Sequence, residues 1–195
     1  LPFVVNHSTV TGCLTQRYQD EVKKEIPEVD AILGTNSYDS IVEALEETLQ
    51  HKFYKNFHTL SGLPQLSTKR TVTTGGHYAY LKIAEGCNKN CTYCVIPSVR
   101  GRYRSVPMDE LVTSAEELVA GGVKELILVA QETTVYGTDI YGKKSLHILL
   151  KELCKIKGIR WIRVLYCYPE EIYDELIQTM KEEKKICHYL DLPIQ

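Results

Sequence analysis

Apolar and polar residues follow two different periods along the chain. Short runs of β-branched and aromatic residues predict strands, and longer runs with apolar residues three or four positions apart predict amphipathic helices. In the first part of the chain the pattern predicts one or two buried strands that run into a loop at 3–13. A helix at 16–28, a strand at 29–34 and a helix at 38–50 follow. Because strand–helix alternation is typical of parallel sheets, we expect a small parallel α/β domain.

The pattern is interrupted at residues 51–76, which are rich in His, Lys, Thr, Ser and Gly and have no sustained period. This composition predicts a linker or an irregular arm between two domains. Beyond it the alternation resumes, with predicted strands at 78–85, 124–131, 159–168 and 185–194 and predicted helices at 108–122, 145–156 and 169–183.

Strict alternation of four strands with three helices predicts a right-handed βα array, either an open sheet or part of a barrel. A complete eightfold barrel takes about 250 residues, so any barrel in this chain is partial. We therefore expect part of an α/β domain at 1–50, a linker at 51–76 and a truncated (β/α) barrel at 77–195. Since Leu1 is not an initiator Met and Gln195 closes an apolar stretch, we expect a fragment of a longer protein.

Composition narrows the class of protein. The 195 residues are 44% apolar, which is enough for a sizeable core, and they contain neither a run of about 18 apolar residues nor a signal peptide. We expect a soluble cytosolic protein without membrane association. The net charge is -2, with 7 basic and 9 acidic residues in 1–75 and 16 of each in 76–195. Neither part has the basic excess of a module that binds nucleic acid through phosphates.

Three of the seven cysteines, Cys87, Cys91 and Cys94, lie in the segment EGCNKNCTYC, directly after the first predicted strand of the barrel. Active sites of α/β barrels lie at this carboxyl edge, and clustered cysteines in a reducing compartment indicate metal binding. A structural zinc site needs a fourth ligand, and His77 lies on the far side of the strand. An iron–sulfur cluster on three cysteines leaves one iron open for a small molecule. Zinc and inert thiols remain alternatives.

The spacing C-x3-C-x-aromatic-C in this segment resembles that of the radical S-adenosylmethionine enzymes. The resemblance implies a four-iron four-sulfur cluster whose open iron takes the amino and carboxylate groups of S-adenosylmethionine. One electron then cleaves this cofactor to methionine and a 5'-deoxyadenosyl radical, which abstracts a hydrogen from an unactivated C–H bond. In this family the aromatic residue before the last cysteine, Tyr93 in this chain, lies along the adenine.

The longer stretch LKIAEGCNKNCTYCVIPSVRGRYRS resembles the methylthiotransferases within that family. Arg100, Arg102 and Arg104 match the arginine-rich segment of these enzymes, which implies that they lie near the cluster or the substrate. A solvated charged face is the alternative for these three arginines. The family usually has a further arginine where this chain has Val106, so we expect the contact of that arginine to be missing.

Three further motifs, QETTVYG, LYCYPE and DLPIQ, resemble the methylthiotransferase branch that modifies a small-subunit ribosomal protein, in the usual case protein twelve. This implies conversion of an aspartate to β-methylthioaspartate, with an electron donor such as flavodoxin or ferredoxin. One alternative is a tRNA methylthiotransferase that acts on a modified adenosine next to the anticodon. A second alternative is a non-catalytic iron–sulfur or zinc-binding module.

Polar side chains at the ends of the predicted barrel strands are candidates for binding the ribose and methionine parts of the cofactor or for orienting the substrate carbon. Arg163 lies inside its strand, and if it faces the barrel it needs a partner such as the cofactor carboxylate. The alternative is that Arg163 faces outward. The candidates for cofactor binding are Tyr93, Gln131, Glu132, Arg163, Tyr166 and Gln195, and Asp191 is a candidate for the vicinity of the substrate.

Cys13 lies in the stretch VTGCLTQRY, which resembles the segment that bears the third ligand of a second, auxiliary cluster in the methylthiotransferases. The other two ligands would precede Leu1. Because one thiolate cannot hold that cluster, we expect this chain to bind one cluster and to cleave S-adenosylmethionine without inserting sulfur. Cys154, Cys167 and Cys187 are isolated, and we expect them to be small buried apolar residues.

Overall fold

The computed structural model describes residues 7–63 and 71–193. The chain divides into two compact units. The first comprises Leu1–Gln65 and Lys89–Arg102, and the second comprises Leu66–Asn88 and Tyr103–Gln195. Both units contain parallel sheets, which confirms the predicted α/β class. Residues 89–102, which the sequence prediction places in the barrel at 77–195, group with the first unit.

The described elements of the first unit are β1 Thr9–Thr11, α1 Cys13–Tyr18, α2 Asp20–Glu25, β2 Ala31–Leu33, α3 Ile41–Leu49, β3 Tyr54–Asn56 and α4 Ile96–Arg100. The three strands form one sheet in the order β1–β2–β3, and both pairs are parallel. A single turn of 3-10 helix at Tyr38–Ser40 precedes α3.

Strand β2 forms the centre of the first unit. Ala31, Ile32 and Leu33 are fully buried, as expected for a short apolar strand that is covered on both faces. Ile32 packs with Val22 and Val29, and the other two residues pack with Ala44 of α3. The two faces of β2 therefore have separate small cores.

The first unit departs from the sequence prediction at two points. The predicted helix at 16–28 is two helices, because Gln19 takes the left-handed conformation with φ 42° and interrupts the chain of helical residues. The predicted linker at 51–76 contains strand β3, which pairs with β2. The sequence of β3 is Tyr-Lys-Asn, and three residues without an apolar alternation give no periodic signal.

The described elements of the second unit are β4 Tyr78–Lys82, β5 Ala84–Glu85, β6 Arg104–Ser105, α5 Met108–Ala120, β7 Glu125–Val129, α6 Leu146–Lys155, β8 Trp161–Val164, α7 Asp174–Glu182 and β9 Ile186–Leu190. Four of the strands form a sheet in the order β4–β7–β8–β9, in which all neighbours are parallel. A separate antiparallel pair, β5–β6, joins Glu85 to Arg104. The predicted alternation of strands and helices is therefore confirmed in this unit.

The core of the second unit lies between the sheet and its helices. Alternate strand residues such as Leu81, Leu128 and Val164 pack with helical leucines such as Leu111 and Leu149. The next residues along each strand point to the opposite face of the sheet because side chains alternate in a strand. None of the helices in the described ranges has the length and apolar character that crossing a bilayer requires.

Tyr136 ties the loop after β7 to the segment that precedes α5. It is fully buried, and its hydroxyl donates to the backbone carbonyl of Val106 at 2.8 Å. Burial raises the pKa of Tyr136. We expect Tyr136→Phe to lower the free energy of unfolding by about 1–3 kcal/mol, because the buried carbonyl loses its donor. Chemical denaturation of the intact protein measures this loss.

The matched control is Tyr189→Phe, which removes a hydroxyl from a ring that is 45% exposed. We expect a change within about 0.5 kcal/mol for this surface substitution. Equal losses for the two variants would show that the hydrogen bond to Val106 does not stabilise the fold.

Candidate active site

The cysteine segment follows the antiparallel strand β5 at the carboxyl edge of the sheet. Cys87 is 6% exposed and belongs to the second unit, while Cys91 and Cys94 are partly buried and belong to the first. The backbone N–H of Cys94 donates to the carbonyl of Cys91 at 3.0 Å and closes a turn. Tyr93, between these two cysteines, is 69% exposed. Its ring therefore lies on the surface of the first unit.

All three cysteines of the segment are free thiols. Within the described ranges, no group of three or more His, Cys, Asp or Glu side chains is arranged to hold a metal ion. The three thiols lie on one segment of eight residues, 87–94. Their chemistry nevertheless fits an iron–sulfur cluster, because soft thiolates are the ligands that such clusters use.

Side chains of the second unit fix the residues just before Cys87. The backbone N–H of Gly86 donates to Oε1 of Gln131 at 2.8 Å. Glu85 is 1% exposed and forms an ion pair with Lys82. Gly86 has φ 79°, a conformation that favours glycine. The side-chain amide of Gln131, in the loop after β7, therefore holds the backbone that leads into Cys87.

Asn88 holds the chain on the other side of Cys87. Its Oδ1 accepts a hydrogen bond from the backbone N–H of Tyr103 at 3.0 Å. The chain passes from the second unit to the first between Asn88 and Lys89, and it returns between Arg102 and Tyr103. This hydrogen bond therefore joins the two residues that flank segment 89–102, which we call the excursion 89–102.

A carboxylate anchors the strand that follows this excursion. Asp139 accepts two hydrogen bonds from Ser105, one from the backbone N–H at 2.8 Å and one from the hydroxyl at 2.6 Å. The hydroxyl of Ser105 in turn accepts from the backbone N–H of Gly137 at 2.9 Å. Sequence analysis missed Asn88, Ser105 and Asp139, because a lone Asn, Ser or Asp in a loop is too common to be a signal.

The three predicted arginines are divided between the units. Arg100 ends α4, and its Nε donates to Sγ of Cys13 at 3.1 Å within the first unit. Arg102 is exposed at the end of the first unit. Arg104 lies in β6 of the second unit; burial lowers its pKa, and the nearby carboxylates of Glu85 and Asp139 act in the opposite direction. The structure thus brings Arg100 together with Cys13, a predicted cluster ligand, in the first unit.

At position 106 this chain has a valine, whereas the methylthiotransferases that the sequence resembles usually have an arginine. Its side chain is 3% exposed and belongs to the core of the second unit. The backbone N–H of Val106 donates to the carbonyl of Ile83 at 2.9 Å. This position is therefore a packing position in the described structure.

Two predicted cofactor residues follow strand β7. Gln131 holds Gly86, as described above. Glu132 is 1% exposed, and its Oε1 accepts from the backbone N–H of Thr134 at 2.9 Å. Both side chains thus bond to nearby backbone groups and shape the loop at the carboxyl edge.

Tyr166 and Asp191 lie at the same edge. Tyr166 has φ 56° and is 45% exposed. Its backbone N–H donates to Oδ2 of Asp191 at 3.0 Å. The structure therefore brings these two predicted residues together through the backbone of one and the side chain of the other. Gln195, the remaining candidate, lies outside the described residues.

Arg163 has a partner within the sheet. Its Nε donates to Oε1 of Glu125 at 2.8 Å, and its guanidinium lies 5.2 Å from the ring centroid of Tyr189. The hydrogen bond to Glu125 raises the pKa of Arg163. Because Glu125 is the first residue of β7 and is aligned with Trp161, this side chain reaches toward the amino end of the sheet. It reaches away from the edge that bears Cys87.

The isolated cysteines have buried or partly buried thiols. Cys167 is fully buried, and burial raises its pKa. Burial also raises the pKa of Cys187, and it raises that of Cys154 to about 11. Thiols with raised pKa values are mostly protonated at neutral pH and are poor metal ligands.

Comparison with known proteins identifies relatives in bacteria. The chain is 61% identical over 186 residues to the ribosomal protein uS12 methylthiotransferase RimO of Lachnoclostridium phytofermentans. It is 52% identical to proteins of the same name from Clostridium botulinum and Clostridium perfringens, over 186 and 192 residues. Each match covers 95% of this chain and 42% of the relative. The chain therefore spans less than half the length of these relatives.

Two solved structures of the radical S-adenosylmethionine methyltransferase TsrM from Kitasatospora setae are also similar. Their TM-scores are 0.46 and 0.47, with sequence identities of 18% and 19%. The matches cover 59% and 60% of this chain and 22% of each TsrM chain.

The sequence profile of the Radical SAM superfamily matches residues 81–195. This range begins in strand β4 and includes Cys87, Cys91 and Cys94 together with the rest of the second unit's sheet. Because the profile spans more than half of the sequence, the chain belongs to the Radical SAM superfamily.

Proposed function

We propose that this chain is part of a methylthiotransferase that inserts a methylthio group at the β-carbon of an aspartate in ribosomal protein uS12. The observation that carries the proposal is the 61% identity to a ribosomal protein uS12 methylthiotransferase over 95% of this chain. The identity extends over both units, so the likeness is not limited to the cysteine segment.

In this proposal Cys87, Cys91 and Cys94 would hold a four-iron four-sulfur cluster. When bound, the cluster would supply the electron that cleaves S-adenosylmethionine, and the resulting radical would abstract hydrogen from the substrate. Gln131 and Asn88 keep the backbone on either side of Cys87 in place through their hydrogen bonds to Gly86 and Tyr103. Fixed positions of the ligands matter for the reaction rate, because a small displacement of a reacting group can lower the rate by a large factor.

The carboxyl edge of the second unit supports binding of S-adenosylmethionine. Tyr166 presents an exposed ring at this edge, and the exposed ring of Tyr93 is the candidate for covering the adenine. Gln131 and Glu132 act mainly on the loop, since their oxygens accept from Gly86 and Thr134. Arg163 is a weaker candidate because it is paired with Glu125 at the opposite end of the strand.

Cys13 is the proposed ligand of a second cluster, whose other ligands lie outside this chain. Arg100 donates a hydrogen bond to the sulfur of Cys13. Hydrogen bonds to ligand sulfurs are one of the factors that set the reduction potential of an iron–sulfur cluster. Arg100 therefore has a proposed role in tuning this cluster.

The names of the relatives and the motifs QETTVYG, LYCYPE and DLPIQ favour a protein substrate over tRNA. The proposed electron donor is a small redox protein such as flavodoxin or ferredoxin.

The first test concerns the three cysteines. In the intact protein, replacement of Cys87, Cys91 or Cys94 by alanine is expected to remove about four iron atoms per chain, since one cluster is lost. Cleavage of S-adenosylmethionine is expected to stop in each variant. Iron and sulfide analysis, a visible spectrum and detection of 5'-deoxyadenosine measure these losses.

Cys154→Ala is the matched control for the cysteine variants. Its thiol has a pKa raised to about 11 by burial, so we expect its removal to leave iron content and cofactor cleavage unchanged. Full iron content in the Cys87→Ala variant would contradict the assignment of the cluster to this segment.

The second test concerns Gln131. We expect Gln131→Ala to release iron to a chelator about tenfold faster than the unsubstituted protein, because a lost hydrogen bond of about 1.4 kcal/mol corresponds to that factor. Gln131→Glu keeps an acceptor for Gly86 and is expected to retain most of the cluster. Gln178→Ala, on the outer helix α7, is the control and should leave the rate unchanged. Equal rates for all variants would show that Gln131 does not hold the loop.

The third test concerns the substrate. We expect the intact protein, supplied with S-adenosylmethionine, sulfide and a reductant, to add one methylthio group to uS12 in isolated small ribosomal subunits. Mass spectrometry of digested uS12 identifies the modified aspartate. A methylthio group on tRNA and none on uS12 would favour the tRNA branch instead.

A further inference from the structure

Tyr166 lies in a backbone conformation that is unfavourable for a tyrosine. Its φ is 56°, and the other described non-glycine residues with positive φ are Gln19 and His51. In this region the Cβ atom crowds the backbone, so glycine or asparagine is the usual occupant. The presence of tyrosine at this point therefore needs a physical cause.

Hydrogen bonds on both sides of Tyr166 hold this conformation. Its backbone N–H donates to Oδ2 of Asp191 at 3.0 Å. Its carbonyl accepts from the backbone N–H of Thr133 at 3.0 Å and from the hydroxyl of Thr133 at 3.0 Å. We name Thr133, Tyr166 and Asp191 the Tyr166 clamp. Three hydrogen bonds from two other loops fix one strained residue.

The clamp joins the loops that follow three neighbouring strands. Thr133 follows β7, Tyr166 follows β8 and Asp191 follows β9. These strands are parallel, so all three loops lie at the carboxyl edge of the sheet. Cys87 follows β4 and β5 at the same edge of this unit. The clamp is thus part of the edge at which α/β barrels bind their ligands.

The ring of Tyr166 does not contribute to the core. It is 45% exposed, whereas Thr133 is fully buried and the neighbouring Cys167 is fully buried. Strain that supports packing would place the side chain in the interior. A strained backbone that exposes an aromatic ring at a binding edge instead indicates a ligand for that ring.

We propose that the Tyr166 clamp presents the ring of Tyr166 to the adenosyl part of S-adenosylmethionine, and that Asp191 is a positioning residue that acts through Tyr166. The proposal rests on the proposed function, since it names a contact of the same cofactor. A flat ring with a hydroxyl suits this group, because the ring stacks on a nucleobase and the hydroxyl bonds to polar atoms. Asp191 needs no contact with the cofactor in this arrangement.

The experiment compares Tyr166→Gly with His51→Gly in the intact, cluster-loaded protein. His51 is exposed and has φ 57°, so it matches Tyr166 in backbone conformation but belongs to the first unit. Both glycine variants are expected to melt at or above the temperature of the unsubstituted protein, because the strain is relieved. Only Tyr166→Gly is expected to bind S-adenosylmethionine more weakly, by about tenfold.

The binding measurement is a titration of the cluster's electron paramagnetic resonance spectrum with S-adenosylmethionine. Tyr166→Phe keeps the ring and should retain most of the affinity. Tyr166→Asn, which tolerates the left-handed conformation, serves as a second variant without the ring. It should bind as weakly as Tyr166→Gly.

Asp191 is tested by a double-mutant cycle. Asp191→Ala removes the acceptor for the backbone N–H of Tyr166, while Asp191→Asn keeps an oxygen there. We expect Asp191→Ala to weaken binding and Asp191→Asn to bind nearly normally. Asp191→Ala combined with Tyr166→Gly should bind no more weakly than Tyr166→Gly alone, because residues that act through one contact are not additive.

Unchanged affinity in both Tyr166→Gly and Tyr166→Asn would overturn the proposed contact. A further loss on adding Asp191→Ala to Tyr166→Gly would overturn the positioning role, since Asp191 would then contact the cofactor itself. Failure of the unsubstituted protein to form the cluster or to bind S-adenosylmethionine is a different result. It would overturn the proposed function, and with it the proposed role of the Tyr166 clamp in binding S-adenosylmethionine.

Discussion

Parallel strands that share a sheet end at the same edge, and the chemistry of the second unit depends on this constraint. Strands β4, β7, β8 and β9 are all parallel. The loops that follow them therefore meet, although they are far apart in sequence. Gln131 reaches Gly86 and Asp191 reaches Tyr166 only because of this pairing. The core between sheet and helices keeps the strands in place, and the loops add the polar groups.

The carboxyl edge is built from side chains that bond to backbone. Gln131 and Asn88 each accept a backbone N–H from a residue outside the helices and strands, and Asp139 accepts one from Ser105 of the two-residue strand β6. An unpaired N–H in a buried position costs about as much as a lost hydrogen bond. These side chains therefore supply the hydrogen-bond acceptors that a sheet or a helix would supply in a regular part of the chain. Each of these side chains can bond only to a backbone group within its reach, so the hydrogen bonds also favour one conformation of the loops.

Sequence periodicity predicted the elements that bury an apolar face, and it missed those that other parts of the chain impose. The sequence could predict the order β7, α6, β8, α7 and β9, because each of these elements packs an apolar face on the same core. Strand β3 and the pair β5–β6 are two or three residues long, so their pairing depends on neighbours that are distant in sequence. Motif spacing predicts Cys87, Cys91 and Cys94 as cluster ligands. It could not predict that Arg163 pairs with Glu125, because the register of two strands decides that contact.

The cysteine segment spans the point at which the chain passes between its two units. Residues up to Asn88 belong to the second unit, and residues 89–102 belong to the first. The hydrogen bond from Tyr103 to Asn88 fixes the two ends of this excursion, so its interior is a closed loop whose ends cannot separate freely. Closing a loop at its base removes conformational freedom from everything within it. Cys91, Cys94 and Arg100 lie inside this loop, and Cys87 lies one residue outside it. The same bond therefore fixes the chain that follows Cys87 to the chain that precedes β6 within the second unit.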